Sequence, residues 1–136
     1  MALKITLKPG ERMIMGGAAL TNANSSSCDL VIENRIPILR QKDILTEEKA
    51  NSPCRRIYYA IQLMYIDEEN LATYHQAYWK MVRDVVRAAP STVALIDAIS
   101  EHILHRQYYP ALKLTKRLIA YEQEVIDRVS GSVESV

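Results

Sequence analysis

The chain has 136 residues and a formal net charge of +1, which excludes a protein that binds nucleic acid through a strong overall positive charge. With 49% hydrophobic and 24% charged residues, its composition is that of an ordinary globular protein. Residues 1–45 contain six basic and four acidic residues, whereas the rest contains eleven and twelve. This mild asymmetry permits an anion-binding face in the first third of the chain without requiring one.

The sequence has no feature of a membrane protein or of a disulfide-stabilised one. No run of residues approaches the roughly 18 apolar residues that a membrane-spanning helix needs. Cys28 and Cys54 lack the CxxC spacing of a redox or zinc motif. We therefore expect a soluble, cytoplasmic protein whose two thiols are reduced, with a single disulfide as the alternative.

The first 45 residues show the alternation of β-strands. In LKITLK three aliphatic side chains alternate with lysine and threonine, which is the period of a half-buried strand. Turns are predicted at Pro9-Gly10 and Gly16-Gly17, on either side of RMIM, and the polar stretch TNANSSS is predicted to be a loop. Further strands are predicted at DLVIEN and RIPILR. Because Pro37 cannot donate a backbone hydrogen bond, the last strand should lie at a sheet edge or carry a bulge.

From Thr46 onward the apolar residues recur at helical spacing. Thr46 is predicted to cap a first short helix, and Ser52-Pro53 to begin the next. That next segment, CRRIYYAIQLMYI, is apolar on nearly every side, so it should be a buried central helix. A further helix is expected to open near Asp67, another to be capped by Ser91, and the last to open at Tyr109-Pro110.

The inward faces of the later helices follow from the same spacing. Ser91 should lead into a helix with four aliphatic side chains turned inward, namely Val93, Ile96, Ile99 and Ile103. The whole pattern predicts an α+β protein: a small antiparallel sheet in residues 1–45, about four α-helices in 46–129, and a flexible tail in 130–136.

Catalytic motifs are absent from the sequence: there is no GxSxG, no glycine-rich phosphate loop and no HExxH. We therefore expect neither an enzyme nor a cofactor. His102 and His105 are three residues apart on a predicted helix and could reach one metal ion, but no third or fourth ligand is evident. The favoured interpretation is an exposed helix flank.

Eight tyrosines and no phenylalanine give the aromatic composition an unusual bias. Tyrosines can stack on nucleic-acid bases, but most of these lie within apolar helical stripes, where a core position with the hydroxyl at the rim is favoured. The basic residues of the β segment lie at strand ends or on a polar strand face. Strand alternation alone indicates that they form a solvated face.

Four stretches of the sequence stand out, namely LKPGERMIMGGA (7–18), IPILRQKDIL (36–45), RRIYYAIQLMYI (55–66) and ALKLTKRLIAYE (111–122). In residues and in order they resemble the FlbT family of regulators of flagellar biosynthesis. The resemblance implies a regulator that acts after transcription by associating with the 5′ untranslated region of flagellin mRNA. Some members repress and others promote flagellin synthesis. A small protein, FlaF, opposes or assists them, so a FlaF-like protein or another protomer is an expected partner.

Within residues 3–45, the pattern ITLKPGERMIMG, then LVIEN, then LRQKDI is also similar to the CsrA family of small mRNA-binding proteins. Those proteins bind RNA with the first strand and the end of the last strand, usually from two protomers. Carried over by position, Ile5, Thr6 and Lys8 belong to the first-strand part of that surface. The last-strand part contains Ile38 and Arg40, with Lys42 beyond the strand. Leu7 and Pro37 depart from the CsrA pattern.

The resemblance therefore leaves two interpretations of function. The first is RNA binding through Thr6, Lys8, Ile38, Arg40 and Lys42. The alternative is a protein-interaction adaptor that acts through a FlaF-like partner or flagellin without direct RNA contact. For Arg40 itself, the alternative to RNA contact is a salt bridge to Asp43 or Glu47.

Overall fold

The computed structural model describes residues 2–134 and the side chains as far as residue 131. The protein is α+β, as the sequence predicts, with an N-terminal β region followed by four α-helices. The chain divides into two compact units. The first, the β unit, extends to Ile44 and includes Ile66–Glu68, whereas the second, the helical unit, comprises Leu45–Tyr65 and the chain from Glu69 onward.

The β unit contains two small antiparallel sheets rather than the single sheet expected. The strands in chain order are β1 (Leu3–Leu7), β2 (Arg12–Met15), β3 (Ala18–Thr21), β4 (Cys28–Ile32) and β5 (Ile38–Arg40). β1 pairs with β4, while β2 pairs with β3 on one side and with β5 on the other. β5 is thus an edge strand, as the position of Pro37 predicts.

Side chains from both sheets share one hydrophobic cluster. Its buried members are Ile5, Leu7, Met13 and Ile32, and the partly buried side chains packed against them are Met15, Leu20, Cys28, Leu30 and Ile38. The alternation in β1 is observed for Ile5 and Leu7, which are 5% and 2% exposed, but Leu3 at the start of the strand is 50% exposed. Two short sheets therefore bury their apolar faces against each other.

The sequence did not predict β3, which forms a hairpin with β2. Ala18–Thr21 lacks a clear alternation of apolar and polar residues and follows directly after two glycines. The predicted turn at Gly16 is present with φ +59°, and a Cβ atom there would lie 2.8 Å from a carbon of Ile36. Beyond β3, the buried Asn22 amide donates hydrogen bonds to the Leu7 and Ser26 carbonyl oxygens, both at 3.0 Å, and so organises the predicted loop.

The helical unit contains α1 (Pro53–Ile66), α2 (Leu71–Ala88), α3 (Val93–Leu104) and α4 (Tyr108–Glu134). The central helix α1 buries seven residues, as its apolar composition predicts. Its start is confirmed, because the Ser52 hydroxyl accepts a hydrogen bond from the Arg55 backbone N–H at 3.2 Å. The expected short helix at Thr46 is wrong: residues 47–49 form a hydrogen-bonded turn closed by Thr46.

Two predictions around α3 are wrong, and the end of α4 differs from expectation. The Ser91 hydroxyl does not cap α3 but hydrogen-bonds the Tyr121 hydroxyl at 2.7 Å, and Val93 is 44% exposed. α4 continues as helix to Glu134, through most of the segment assigned to a tail, and residues 135–136 of that segment lie outside the described residues. In the described part of the chain no helix is long and apolar enough to span a membrane.

Candidate functional site

Arg40, the last residue of the edge strand β5, joins the two sheets of the β unit. Its Nη2 donates a hydrogen bond to the Thr6 carbonyl oxygen in β1 at 2.9 Å and contacts Glu11 Oε2 at 3.2 Å. The partner of this arginine is thus Glu11 rather than Asp43 or Glu47, the two considered from the sequence. The side chain is 37% exposed, and among the described residues only Nη2 has polar contacts.

Glu11 stands at the centre of this arrangement. Its Oε1 accepts a hydrogen bond from the Lys8 backbone N–H at 2.9 Å, while its Oε2 faces Arg40. The Lys8 hydrogen bond, assisted by the Arg40 guanidinium and the Lys8 charge, lowers the pKa of Glu11 below its ordinary value. Glu11 is therefore held as an anion between the end of β1 and the end of β5.

A second acidic residue organises the outer face of β1. The Thr6 hydroxyl donates a hydrogen bond to Asp29 Oδ1 at 2.6 Å, and Lys4 Nζ lies 3.6 Å from Asp29 Oδ2. This hydrogen bond and the charge of Lys4 lower the pKa of Asp29. The Thr6 side chain is consequently occupied by its cross-strand neighbour, while its carbonyl oxygen is bound by Arg40.

Three further basic residues lie near Arg40 with unengaged side chains. Lys8, Arg12 and Lys42 are exposed, and within the described residues their side chains make no hydrogen bond or ion pair. Gln41 connects this group, because its Oε1 accepts a hydrogen bond from the Arg12 backbone N–H at 2.6 Å. We call Lys8, Arg12, Arg40 and Lys42 the basic edge.

The structure separates the residues suggested by the sequence into exposed and buried ones. Thr6, Lys8 and Lys42 are exposed, and Arg40 and Ile38 are partly exposed. Ile5 is buried in the hydrophobic cluster, so its assignment to a first-strand binding surface is wrong. Arg12 was not among the predicted site residues. The sequence alone carries no signal for Arg12, because the pairing of β2 with β5 that brings it beside Gln41 is visible only in the structure.

The two histidines considered as metal ligands have local partners. His102 Nδ1 lies 2.9 Å from Gln107 Oε1, and His105 Nδ1 lies 3.5 Å from the Glu101 carboxylate. Within the described residues no group of three or more histidine, cysteine or acidic side chains is placed to hold a metal ion. The polar contacts that the structure does assemble among the candidate residues are those of Arg40 with Thr6 and Glu11.

Comparison with known proteins finds relatives that align with nearly the whole chain. Residues 3–126 match the family model described as "Flagellar protein FlbT". A FlbT protein of Bradyrhizobium diazoefficiens is 46% identical over 125 residues, which cover 92% of this chain and 85% of the relative. "Flagellum biosynthesis repressor protein FlbT" of Caulobacter vibrioides is 35% identical over 137 residues, which cover 99% and 96%.

A FlbT protein of Rhodopseudomonas palustris is 39% identical over 128 residues, covering 94% of this chain and all of the relative. No solved structure matches the chain. The family match covers both the β unit and most of the helical unit. The chain therefore belongs to the FlbT family of flagellar proteins.

Proposed function

We propose that this protein represses flagellum biosynthesis after transcription, by binding the 5′ leader of flagellin mRNA through the basic edge. The regulatory part of the proposal rests on the relatives, among them the Caulobacter vibrioides protein named as a flagellum biosynthesis repressor. The RNA-binding part rests on the likeness of residues 3–45 to CsrA-type proteins and on the geometry at Arg40. Repression would follow if the bound protein occludes the leader or alters its decay.

The observation that carries the RNA proposal is the contact between Arg40 and the Thr6 carbonyl. In CsrA-type proteins the first strand and the end of the last strand form one RNA surface, usually across two protomers. Here Arg40 brings the corresponding positions together within a single chain, at 2.9 Å. This contact supports the proposal that a composite surface of that type forms here within one protomer.

The chemistry of the basic edge suits single-stranded RNA. A guanidinium can hold a phosphate or a guanine edge and can stack on a base, while lysine ammonium groups act as point charges toward phosphates. Within the described residues, Arg40 Nε and Nη1 make no polar contact, and Lys8, Arg12 and Lys42 are exposed. Four basic groups outnumber the two nearby carboxylates, Glu11 beside Arg40 and the buried Asp43 next to Lys42, which leaves this edge with a local positive charge.

The test is leader binding by the double variant Lys8→Ala/Lys42→Ala, whose replaced side chains are exposed and make no polar contact with the described residues. We expect weaker leader binding and a log–log salt dependence that is shallower by about 0.7 for each phosphate that the variant no longer neutralises. Lys80→Ala on α2 removes an exposed charge outside the β unit and is the matched control. Equal affinity of all three proteins would contradict binding at the basic edge.

One observation favours the alternative function, a protein-interaction adaptor. Arg40 already faces an intramolecular carboxylate, so RNA must compete with Glu11 for the same guanidinium. As an adaptor, the protein would affect flagellin synthesis by binding a FlaF-like partner or flagellin. Leader binding that appears only when such a partner is added would support the adaptor and contradict direct recognition.

A further inference from the structure

The helical unit carries a shallow groove between α2 and α3 that the proposed function does not use. It has a volume of about 730 Å³. Its apolar lining includes Trp79, Val86, Val93 and Leu104. Val93 is 44% and Leu104 is 66% exposed, so apolar surface lies open to water here.

The two walls of this groove carry opposite charges. On α2 the wall is formed by Arg83 and Arg87, and on α3 by Asp97 and Glu101. Within the described residues Arg83, Arg87 and Asp97 make no ion pair, and Glu101 faces only His105, at 3.5 Å. The positive and negative walls of one chain therefore do not neutralise each other across the groove.

The spacing of these charges is the same on both helices. Each pair is separated by four residues, which corresponds to about 6 Å along a helix axis. An α2 helix lying beside an α3 helix of opposite charge can consequently satisfy both pairs at once. A two-fold axis through the groove would provide this arrangement twice, because in such an interface each residue of one protomer meets its complement on the other.

We propose that the α2–α3 groove is a homodimer interface, in which α2 of one protomer packs against α3 of a second copy of this chain. Val93 and Leu104, at the two ends of α3, would provide apolar contacts, and the arginine and acidic pairs would provide the charged contacts between them. The inference goes beyond the proposed RNA-binding function and does not depend on it, since the residues of the groove and those of the basic edge belong to different units.

The experiment is charge reversal of one wall at a time, followed by mixing. Wild-type protein is expected to sediment at twice the 15.5 kDa chain mass, in a concentration-dependent equilibrium. Arg83→Glu/Arg87→Glu and Asp97→Lys/Glu101→Lys should each be monomeric, because like charges then face each other at both contacts. An equimolar mixture of the two variants should recover the dimer mass, since opposite charges face each other again.

A variant at the apolar end of the groove provides an independent measurement. Leu104→Glu places a charge on a side chain that is 66% exposed, so the fold should tolerate it while the dimer dissociates. Circular dichroism confirms that each variant keeps its helices. Wild-type protein that stays monomeric at every concentration would overturn the proposal. So would reversed variants that fold but remain monomeric when mixed.

Discussion

The guanidinium of Arg40 donates a hydrogen bond to the Thr6 backbone carbonyl oxygen at 2.9 Å, between residues 34 positions apart in the chain. Because the acceptor is a main-chain atom, no substitution at Thr6 removes it. Arg40 therefore has two roles to separate: it links β5 to β1, and it is the proposed reader of RNA. Variants that keep one role and lose the other distinguish them.

Arg40→Ala should weaken leader binding by about 1–3 kcal/mol if the arginine contacts RNA specifically. Arg40→Lys keeps the positive charge but loses the planar fork, so we expect it to recover only part of the affinity. Both are measured by titration of labelled leader with the purified variants. Unchanged affinity in Arg40→Ala, combined with a lower unfolding midpoint, would assign the arginine to the link between strands alone.

Glu11→Gln tests whether the carboxylate competes with RNA for Arg40. The substitution removes the negative charge but retains an oxygen that can accept the Lys8 backbone hydrogen bond. Leader affinity should rise in Glu11→Gln, opposite in sign to Arg40→Ala, because the guanidinium is no longer neutralised. Glu124→Gln, which removes a carboxylate charge paired with Arg128 in the helical unit, is the control. A loss of affinity in Glu11→Gln would contradict competition.

The same carboxylate predicts how stability depends on pH. The pKa of Glu11 is lowered in the folded protein from an ordinary value of 4.5, so the unfolded chain takes up its proton first as the pH falls. Its contribution to stability is present above pH 4.5 and is lost as the pH falls through the lower, folded pKa. Chemical unfolding at several acidic pH values should show a weaker acid destabilisation in Glu11→Gln than in wild type. Identical pH profiles would contradict this contribution.

In the helical unit, Glu122 on α4 caps the first turn of α1. Its carboxylate accepts hydrogen bonds from the Ser52 hydroxyl at 2.5 Å and from the Cys54 backbone N–H at 3.0 Å. Glu122→Ala should lower the free energy of unfolding by about 1–3 kcal/mol, because donors at a helix N-terminus lose a charged acceptor.

The matched control for Glu122 is Glu124→Ala on the same helix. Glu124 forms an exposed pair with Arg128 four residues away, at 2.8 Å. Exposed pairs of this kind contribute about 0.3–0.5 kcal/mol. The free energy of unfolding, measured in urea, should therefore fall several times less in Glu124→Ala than in Glu122→Ala. Equal losses in the two variants would show that the Glu122 cap contributes no more than an exposed pair.

The two thiols should differ in reactivity. Cys54 is 4% exposed, and burial together with the Glu122 carboxylate raises the pKa of its thiol to about 12. Because the thiolate is the reactive form, a disulfide reagent should modify Cys54 only on unfolding, whereas the partly exposed Cys28 should react first. Cys28→Ser isolates the slow thiol for measurement. Rapid modification of Cys54 in folded Cys28→Ser would contradict its burial.

Much of the fold could be predicted because its signals are local. The alternation in LKITLK, the glycine turns, the Ser52-Pro53 helix start and the apolar character of α1 all depend on neighbouring residues. β3 was missed because Ala18–Thr21 becomes a strand only by pairing with β2. Val93 was misplaced because helical spacing does not show where a neighbouring helix leaves a face uncovered.

The candidate site was predicted in part, because the sequence shows local strand patterns but not the pairing of distant strands. Strand positions placed Thr6, Lys8, Arg40 and Lys42 at exposed or partly exposed sites, but alternation could not reveal that Arg40 meets Glu11 across 29 positions. Sequence proximity suggested Asp43 or Glu47 as its partner, whereas the pairing of β2 with β5 brings distant residues together. Tyr78 is in the core as its apolar stripe predicts, but its hydroxyl is not at the rim: it is buried and hydrogen-bonds the buried Ser100 at 2.8 Å.

The proposed function is decided by titration of the purified protein, without any partner, against a flagellin 5′ leader and a scrambled leader at two salt concentrations. Direct recognition predicts tighter binding to the authentic leader, with log affinity falling by about 0.7 per neutralised phosphate for each unit of log salt. Equal binding to both RNAs, or no binding in the absence of a protein partner, would contradict RNA recognition by the basic edge and assign the function to protein contacts.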